Sequence, residues 1–286
     1  AFNVLYISQL ARKHDVKVLL SGAGGDDIFT GYRRHKAILA DRWLSRMPNL
    51  LRSQLANSAK YFNTNSGFGR RMSRFLMGMD LCGDDRLINY FSWIPDTVLR
   101  PLFSDEFRSE VDRKKLSMPF SDYLDQFDAS LNNIDKILLL EKRFFLADHN
   151  LIYTDKMSMA ASVEVRVPFL DNELVEFASN IPYYLKQRLR EGKWVLKQAM
   201  RPYLPDTIIF RGKSGFGVPL RAWLNGGLKQ LVNDLLSKEV IQKRGIYNFE
   251  MVQKFLECDR KGKIDGSYII FSLICFEIWC QKFIDN

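Results

Sequence analysis

A short apolar run that breaks into a glycine turn constrains the fold of this chain most. Residues 16–20 have the aliphatic composition of a buried parallel strand. The turn that follows reads Ser-Gly-Ala-Gly-Gly and delivers Asp26 and Asp27 at the predicted start of a helix. Glycine lets a backbone approach a ligand closely, and the free N–H groups of a helix start attract anions. The pattern is therefore typical of a phosphate-binding turn.

The two adjacent acids leave two interpretations open. Carboxylates repel phosphate unless a cation lies between them, so Asp26 and Asp27 beside the glycines favour a nucleotide–magnesium site. Alternatively, the segment is a tight strand-to-helix turn in which one of the two aspartates caps the helix. The pattern alone does not choose between them.

Composition excludes several classes of protein. The 286 residues suffice for one large domain or two small ones. The most apolar run, residues 268–280, is too short for a bilayer and carries Glu277, so we expect a buried helix and no membrane partner. The four cysteines lack C-x-x-C spacing, which argues against structural zinc and favours a reducing, cytoplasmic location. Cys275 and Cys280 are expected in the core.

The net charge of +9 is concentrated in one segment. Between Lys186 and Arg221 lie nine basic residues and only two acidic ones. The segment lacks both the interleaved aromatic residues of a single-strand binder and a helix-turn-helix pattern. We therefore expect an anionic small molecule as its partner and no nucleic acid.

Further candidate residues lie later in the chain. Residues 35–147 are predicted to form a bundle of helices that assigns no function. Asp155 and Lys156 follow on a predicted helix. Glu164 and Arg166 alternate with valines, so both charges project to the same side of an extended segment. A structural ion pair would explain these two charges equally well.

Two lysines are candidate phosphate contacts. Lys193 lies one helical turn before Lys197, and Lys213 is flanked by glycines in a basic loop over residues 208–219. An ammonium group is a compact point charge that suits phosphate. Taken alone these patterns are weak, because most lysines in loops are simply solvated.

Three segments together resemble signatures of the asparagine synthetase family. Residues 21–32 resemble the motif SGxGGDExFGGY, and residues 155–171 and 193–216 resemble two later motifs, in the family's order. The resemblance implies an α/β, predominantly helical fold: the C-terminal part of an adenine-nucleotide α-hydrolase-like (PP-loop) domain, with a parallel-sheet remnant and a large helical bundle. Residues 1–35 would be the remnant of the nucleotide-binding core, and residues 36–286 the mainly helical part with further active-site loops.

The resemblance also implies an activity. A carboxylate attacks ATP to give an acyl-adenylate and pyrophosphate, and ammonia then replaces AMP to give an amide. The expected substrates are ATP, aspartate and ammonia that a glutaminase domain releases from glutamine, with magnesium as the metal. The alternatives are another carboxylic acid, such as a sugar acid of surface polysaccharides, or a non-catalytic scaffold. The resemblance allows a homodimer.

Individual roles follow from the same resemblance. Lys213 and Glu164 would be catalytic, Asp26 would hold magnesium, and Lys193 would contact the departing pyrophosphate. Residues that support the site would be Asp155, Lys156 and Arg166. The ATP and acyl-adenylate would be bound by Ser21, Gly22, Ala23, Gly24, Gly25, Asp26, Asp27, Lys193 and Arg211.

The chain departs from the family pattern in three ways. Ala23 stands where the family has an acid or, in a β-lactam-forming branch, a tyrosine, so the acyl substrate stays open. Asp27 in place of glutamate and Thr30 in place of glycine are interpreted as mild changes. The family's SGGxDS loop and N-terminal glutaminase cysteine do not occur here. We expect the chain to be a C-terminal part of a longer synthetase and inactive alone.

Overall fold

A computed structural model describes residues 1–44, 46–62, 67–91, 96–113, 117–188, 191–212 and 218–285. The chain divides into two compact units, Ala1–Met47 with Phe120–Phe216 and Pro48–Pro119 with Gly217–Asn286. Most described residues are helical, and the strands form a parallel pair and a short antiparallel pair. The expected α/β, predominantly helical class is confirmed.

The helices and strands follow in chain order, joined by short 3-10 turns and one π-helix, Glu141–Leu151. They are α1 (Phe2–Lys13), β1 (Val18–Leu20), α2 (Gly25–Phe29), α3 (Arg33–Leu44), α4 (Asn49–Ser58), α5 (Gly67–Leu76), α6 (Gly83–Asn89), α7 (Asp96–Leu99), α8 (Asp105–Arg113), α9 (Met118–Leu124), α10 (Asn133–Leu140), α11 (Ile152–Met159), β2 (Glu164–Arg166), α12 (Asn172–Asn180), α13 (Tyr183–Lys186), β3 (Gln187–Arg188), β4 (Glu191–Gly192), α14 (Trp194–Met200), α15 (Asp206–Ile209), α16 (Leu220–Asn225), α17 (Lys229–Leu235), α18 (Lys238–Arg244), α19 (Phe249–Arg260) and α20 (Ser267–Phe283).

The first unit contains the predicted parallel strand. β1 pairs with β2 in parallel, with Val18 opposite Glu164 and Leu20 opposite Arg166. The expectation that this strand is buried is wrong for Val18 and Leu20, which are exposed, Leu20 at 75 %. β1 precedes residue 35 and β2 follows it, so the parallel pair joins the two predicted parts of the chain. The predicted division at residue 35 stays a prediction.

A long helical rod crosses the first unit. α10, the π-helix and α11 are continuous, so the helix predicted to end near residue 147 extends to Met159. Asn132 caps its start, since the side chain accepts hydrogen bonds from the backbone N–H groups of Ile134 and Asp135. Ile137 and Leu140 on the first turns are fully buried. The rod is therefore a core element of this unit.

The second unit packs around α20. Its buried face includes Ile270, Leu273 and Ile274, which belong to one apolar cluster with residues of α16, α17 and α19. Cys280 is buried as expected, whereas Cys275 is exposed, because the two lie on different faces of the helix. In the part of the chain that is described, no helix has the length and apolarity to cross a membrane.

Burial on α20 gives a stability prediction. Replacing Ile270 with alanine removes a side chain that is 1 % exposed and leaves a cavity, so we expect a loss of about 2–5 kcal/mol in the free energy of unfolding. Phe283→Ala on the same helix is the control, because Phe283 is 69 % exposed. Urea unfolding measures both variants, and equal losses would contradict the described packing.

Candidate functional site

The glycine turn lies between β1 and α2 and packs against the segment that follows β2. The N–H of Ser21 donates to the carbonyl of Arg166 at 2.8 Å, and the N–H of Ala23 donates to Ser21 Oγ at 3.2 Å. Gly24 has φ +88°, and a Cβ there would lie 2.8 Å from Leu170 Cγ. Both the backbone conformation and the close approach therefore require glycine at position 24.

The two acids of the turn do not cap α2. The residue before the first helical turn is Gly24, and no side chain accepts a hydrogen bond from the helix start. The interpretation of the acids as helix caps is therefore wrong. Asp26 and Asp27 instead have separate partners on different sides of α2.

Asp26 forms an ion pair with Lys193. The distance from Asp26 Oδ1 to Lys193 Nζ is 2.6 Å, and both side chains are partly exposed. The N–H of Lys193 also donates to the carbonyl of Phe29 at 2.9 Å, which fixes the start of α14 beside α2. Gly31 leaves room for the pair, because a Cβ there would lie 2.7 Å from Lys193 Cε and would collide with the Asp26 carboxylate. The structure thus brings together two predicted site residues that are far apart in sequence.

The backbone beside this ion pair is strained. Thr30 and Lys193 both have left-handed conformations, with φ +64° and +58°. A non-glycine residue with a left-handed conformation destabilises the fold by about 1–3 kcal/mol. Among these residues, a β-branched one such as threonine is especially rare. The interpretation of Thr30 as a mild replacement for glycine is therefore wrong. Its hydroxyl donates to the carbonyl of Phe29 at 2.5 Å, which holds the side chain in place.

Asp27 faces the interior. Its side chain accepts hydrogen bonds from the Tyr32 hydroxyl at 3.1 and 3.2 Å, and the residue is 1 % exposed. Burial, reinforced by the nearby Glu141 carboxylate, raises the pKa of Asp27 to about 6, although the Tyr32 hydrogen bond opposes the shift. Asp27 therefore occupies a different environment from Asp26.

Near the Asp27–Tyr32 hydrogen bond, the buried carboxylate of Glu141 holds α3 in place. Glu141, at the start of the π-helix, is fully buried and accepts a hydrogen bond from Arg34 Nε. His35 Nδ1 accepts the N–H of Tyr32, so the proton on Nε2 donates to Glu141 at 2.7 Å. Sequence reasoning missed this network. The hint of this network in the sequence is that the acidic Glu141 directly follows the apolar residues 137–140.

Several predicted site residues outside the glycine turn are exposed. Glu164 and Arg166 are exposed and form an ion pair with each other at 2.9 Å, as the structural interpretation predicts. Asp155 and Lys156 are exposed on α11, and Arg211 is exposed after α15. Lys213 lies outside the described residues. The roles of all these residues stay predictions.

Asp26 is the residue that could hold a magnesium ion here. Within the described ranges no group of three or more His, Cys, Asp or Glu side chains could form a protein-only metal site. Magnesium in nucleotide sites is usually held by one or two carboxylates together with substrate phosphates. The partly exposed Asp26 carboxylate fits that arrangement, and its partner in this structure is Lys193.

The raised pKa of Asp27 predicts a pH dependence of stability. The folded protein binds this proton more tightly than the unfolded chain does, so the free energy of unfolding falls as pH rises from about 4 to about 7. In Asp27→Asn the decrease in the free energy of unfolding over this pH range should be about 3 kcal/mol smaller than in wild type. The reason is that the pKa rises from 3.8 to about 6, and one pKa unit corresponds to about 1.4 kcal/mol. Urea unfolding across this range measures it, with the exposed Asp122→Asn as the control. Parallel profiles for wild type and Asp27→Asn would contradict the assignment.

Comparison with known proteins places these features in a family. A family model described as asparagine synthase matches residues 1–281. Asparagine synthetase [glutamine-hydrolyzing] 1 of Bacillus subtilis (strain 168) is 28 % identical over 279 residues, which cover 98 % of this chain and 42 % of that protein. A putative asparagine synthetase of Mycobacterium tuberculosis (strain ATCC 25618 / H37Rv) is 28 % identical over 284 residues, with 99 % and 42 % covered.

A fungal relative has a different name. The amidase chyE of Penicillium rubens is 26 % identical over 281 residues, covering 88 % of this chain and 40 % of its own length. The chain spans about two-fifths of the length of these three relatives. The predicted resemblance is confirmed, and because the family model covers nearly every residue, the chain belongs to the asparagine synthase family.

Proposed function

We propose that this chain carries the amide-forming chemistry of an ATP-dependent synthetase that converts aspartate to asparagine with ammonia derived from glutamine. The observation that carries the proposal is the Asp26–Lys193 ion pair, which lies beside the glycine turn in a member of the asparagine synthase family. A PP-loop type of nucleotide domain, a cytoplasmic location and a homodimer belong to the same proposal.

Lys193 supplies the positive charge for the leaving pyrophosphate. In the first step the substrate carboxylate attacks the α-phosphorus of ATP, and the bond to pyrophosphate breaks. The Lys193 ammonium can exchange the Asp26 carboxylate for a phosphate oxygen, since both side chains are partly exposed. Asp26 would then hold the magnesium ion, which neutralises charge on the phosphates. The hydrogen bond from the Lys193 N–H to the Phe29 carbonyl keeps this residue beside α2.

The glycine turn gives the substrate room. A Cβ at Gly22 would meet no atom within 4 Å, so a nucleotide can lie against this exposed backbone. Ammonia then attacks the acyl carbon, and the bond to AMP breaks. By family resemblance, Lys213 stabilises the charge on the phosphate and acyl oxygens, and Arg211 lies two residues before it. The Glu164–Arg166 pair, on the strand beside β1, would position the turn.

A different carboxylic acid is the second candidate substrate. Ala23 has a methyl group where the family pattern that the chain resembles has an ionisable side chain, so it can neither transfer a proton nor hold an ammonium group. A fungal relative named as an amidase shows that names in this family differ. A panel of acids that includes aspartate and sugar acids separates the two candidates. AMP formation with none of them would contradict both candidates and favour the scaffold alternative.

The assay uses the protein as its gene encodes it, with ATP, aspartate and either glutamine or an ammonium salt. We expect asparagine and AMP in equal amounts, and we expect Asp26→Asn and Lys193→Met each to lower kcat about a hundredfold or more. Lys229→Met, an exposed residue of the second unit, is the matched control. Unchanged turnover in either site variant would remove the role proposed for that residue.

A further inference from the structure

We propose that a cavity in the first unit binds a small organic carboxylate. The cavity has a volume of about 190 Å³ and lies among α2, α10, the π-helix, α12 and α13. Its polar wall includes Lys142, Lys186, Asp135 and Ser179, and leucines of α10 contribute to its apolar wall. Neither Asp26 nor Lys193 lines it, and Asp27 is the one residue of the predicted ATP-binding set that does, through a carboxyl group that Tyr32 engages.

Lys186 is the residue that points to a ligand. It is 2 % exposed at the end of α13, and no described residue accepts a hydrogen bond from its ammonium group. Burial lowers the pKa of Lys186, Asp135 opposes the shift, and Lys142 adds to it. The Asp135 carboxylate offsets part of the cost of burying this charge, and a bound anion would offset more of it.

Two lysines and two aspartates line the cavity, and Asp135 is the acid whose charge acts on both lysines. The Lys142 ammonium donates to Ser179 Oγ at 3.2 Å. Ser179 is exposed at the edge of the cavity, whereas Lys186 is buried. An anion can therefore enter past Ser179 and reach both lysines. A carboxylate there would accept hydrogen bonds from both ammonium groups.

The rest of the cavity selects the ligand. Leu138 and Leu139 offer apolar contact for a short hydrocarbon chain, which a bare inorganic anion could not use. On the α2 wall lies Asp27, whose carboxyl group is engaged by Tyr32. This second acid disfavours a doubly charged ligand. The expected order of affinity is therefore butyrate, then acetate, then inorganic phosphate.

Isothermal titration of the purified protein with sodium butyrate at constant ionic strength tests the proposal. We expect saturable binding of one equivalent. Lys186→Met should weaken it by at least about tenfold, which is the loss of one charge-assisted hydrogen bond. Lys142→Met should weaken it as well, and the exposed Lys13→Met should not. Absent or non-saturable binding, or equal affinity in Lys186→Met, would overturn the proposal.

Two further variants separate this site from the amide-forming site. Asp26→Asn and Lys193→Met should keep the butyrate affinity of the wild type, and a loss in both would place the carboxylate at the acyl site instead. If Lys186→Met does not fold, Leu139→Trp, which fills the cavity, takes its place. Butyrate binding that survives both Leu139→Trp and Lys142→Met would equally overturn the assignment.

Discussion

The parallel pairing of β1 with β2 is the constraint on which the candidate site depends. It joins segments nearly 150 residues apart, with Leu20 opposite Arg166, and the next backbone bond links Ser21 to Arg166. In this register Gly24, the residue before α2, lies against Leu170. A slip of one residue would turn every side chain of the strand to the opposite face. The position of Asp26 is thus set by the sheet.

Buried charges hold the elements around that turn. Glu141 would be costly in the interior if it were alone, and Arg34 and His35 both donate to it. These bonds attach α3 to the π-helix, and the Tyr32–Asp27 hydrogen bond attaches α2 to the start of α3. Burying these charges costs desolvation free energy, and the hydrogen bonds between them fix the positions of α2, α3 and the π-helix. Asp26 and Lys193 remain partly exposed beside these fixed neighbours.

Sequence reasoning found the elements that depend on local pattern. The strand before the turn and the buried helix over residues 268–280 follow from composition and period, and the family motifs named Asp26 and Lys193, which the structure brings into an ion pair. It missed features that depend on tertiary contact. Whether Asp27 faces inward depends on the burial of α2 and on Tyr32. The strain at Thr30 and the π-helical turns depend on packing that no single-sequence pattern records.

A double-mutant cycle between Asp26 and Lys193 tests most directly whether the two side chains act as one unit in amide formation. The quantity to measure is kcat/KM for AMP release in wild type, Asp26→Asn, Lys193→Met and the double variant. If the pair serves one phosphate group, the double variant will be scarcely slower than either single variant, with a coupling energy of at least about 1.5 kcal/mol. Losses that add to within about 0.5 kcal/mol would show that the residues act independently and would contradict the account.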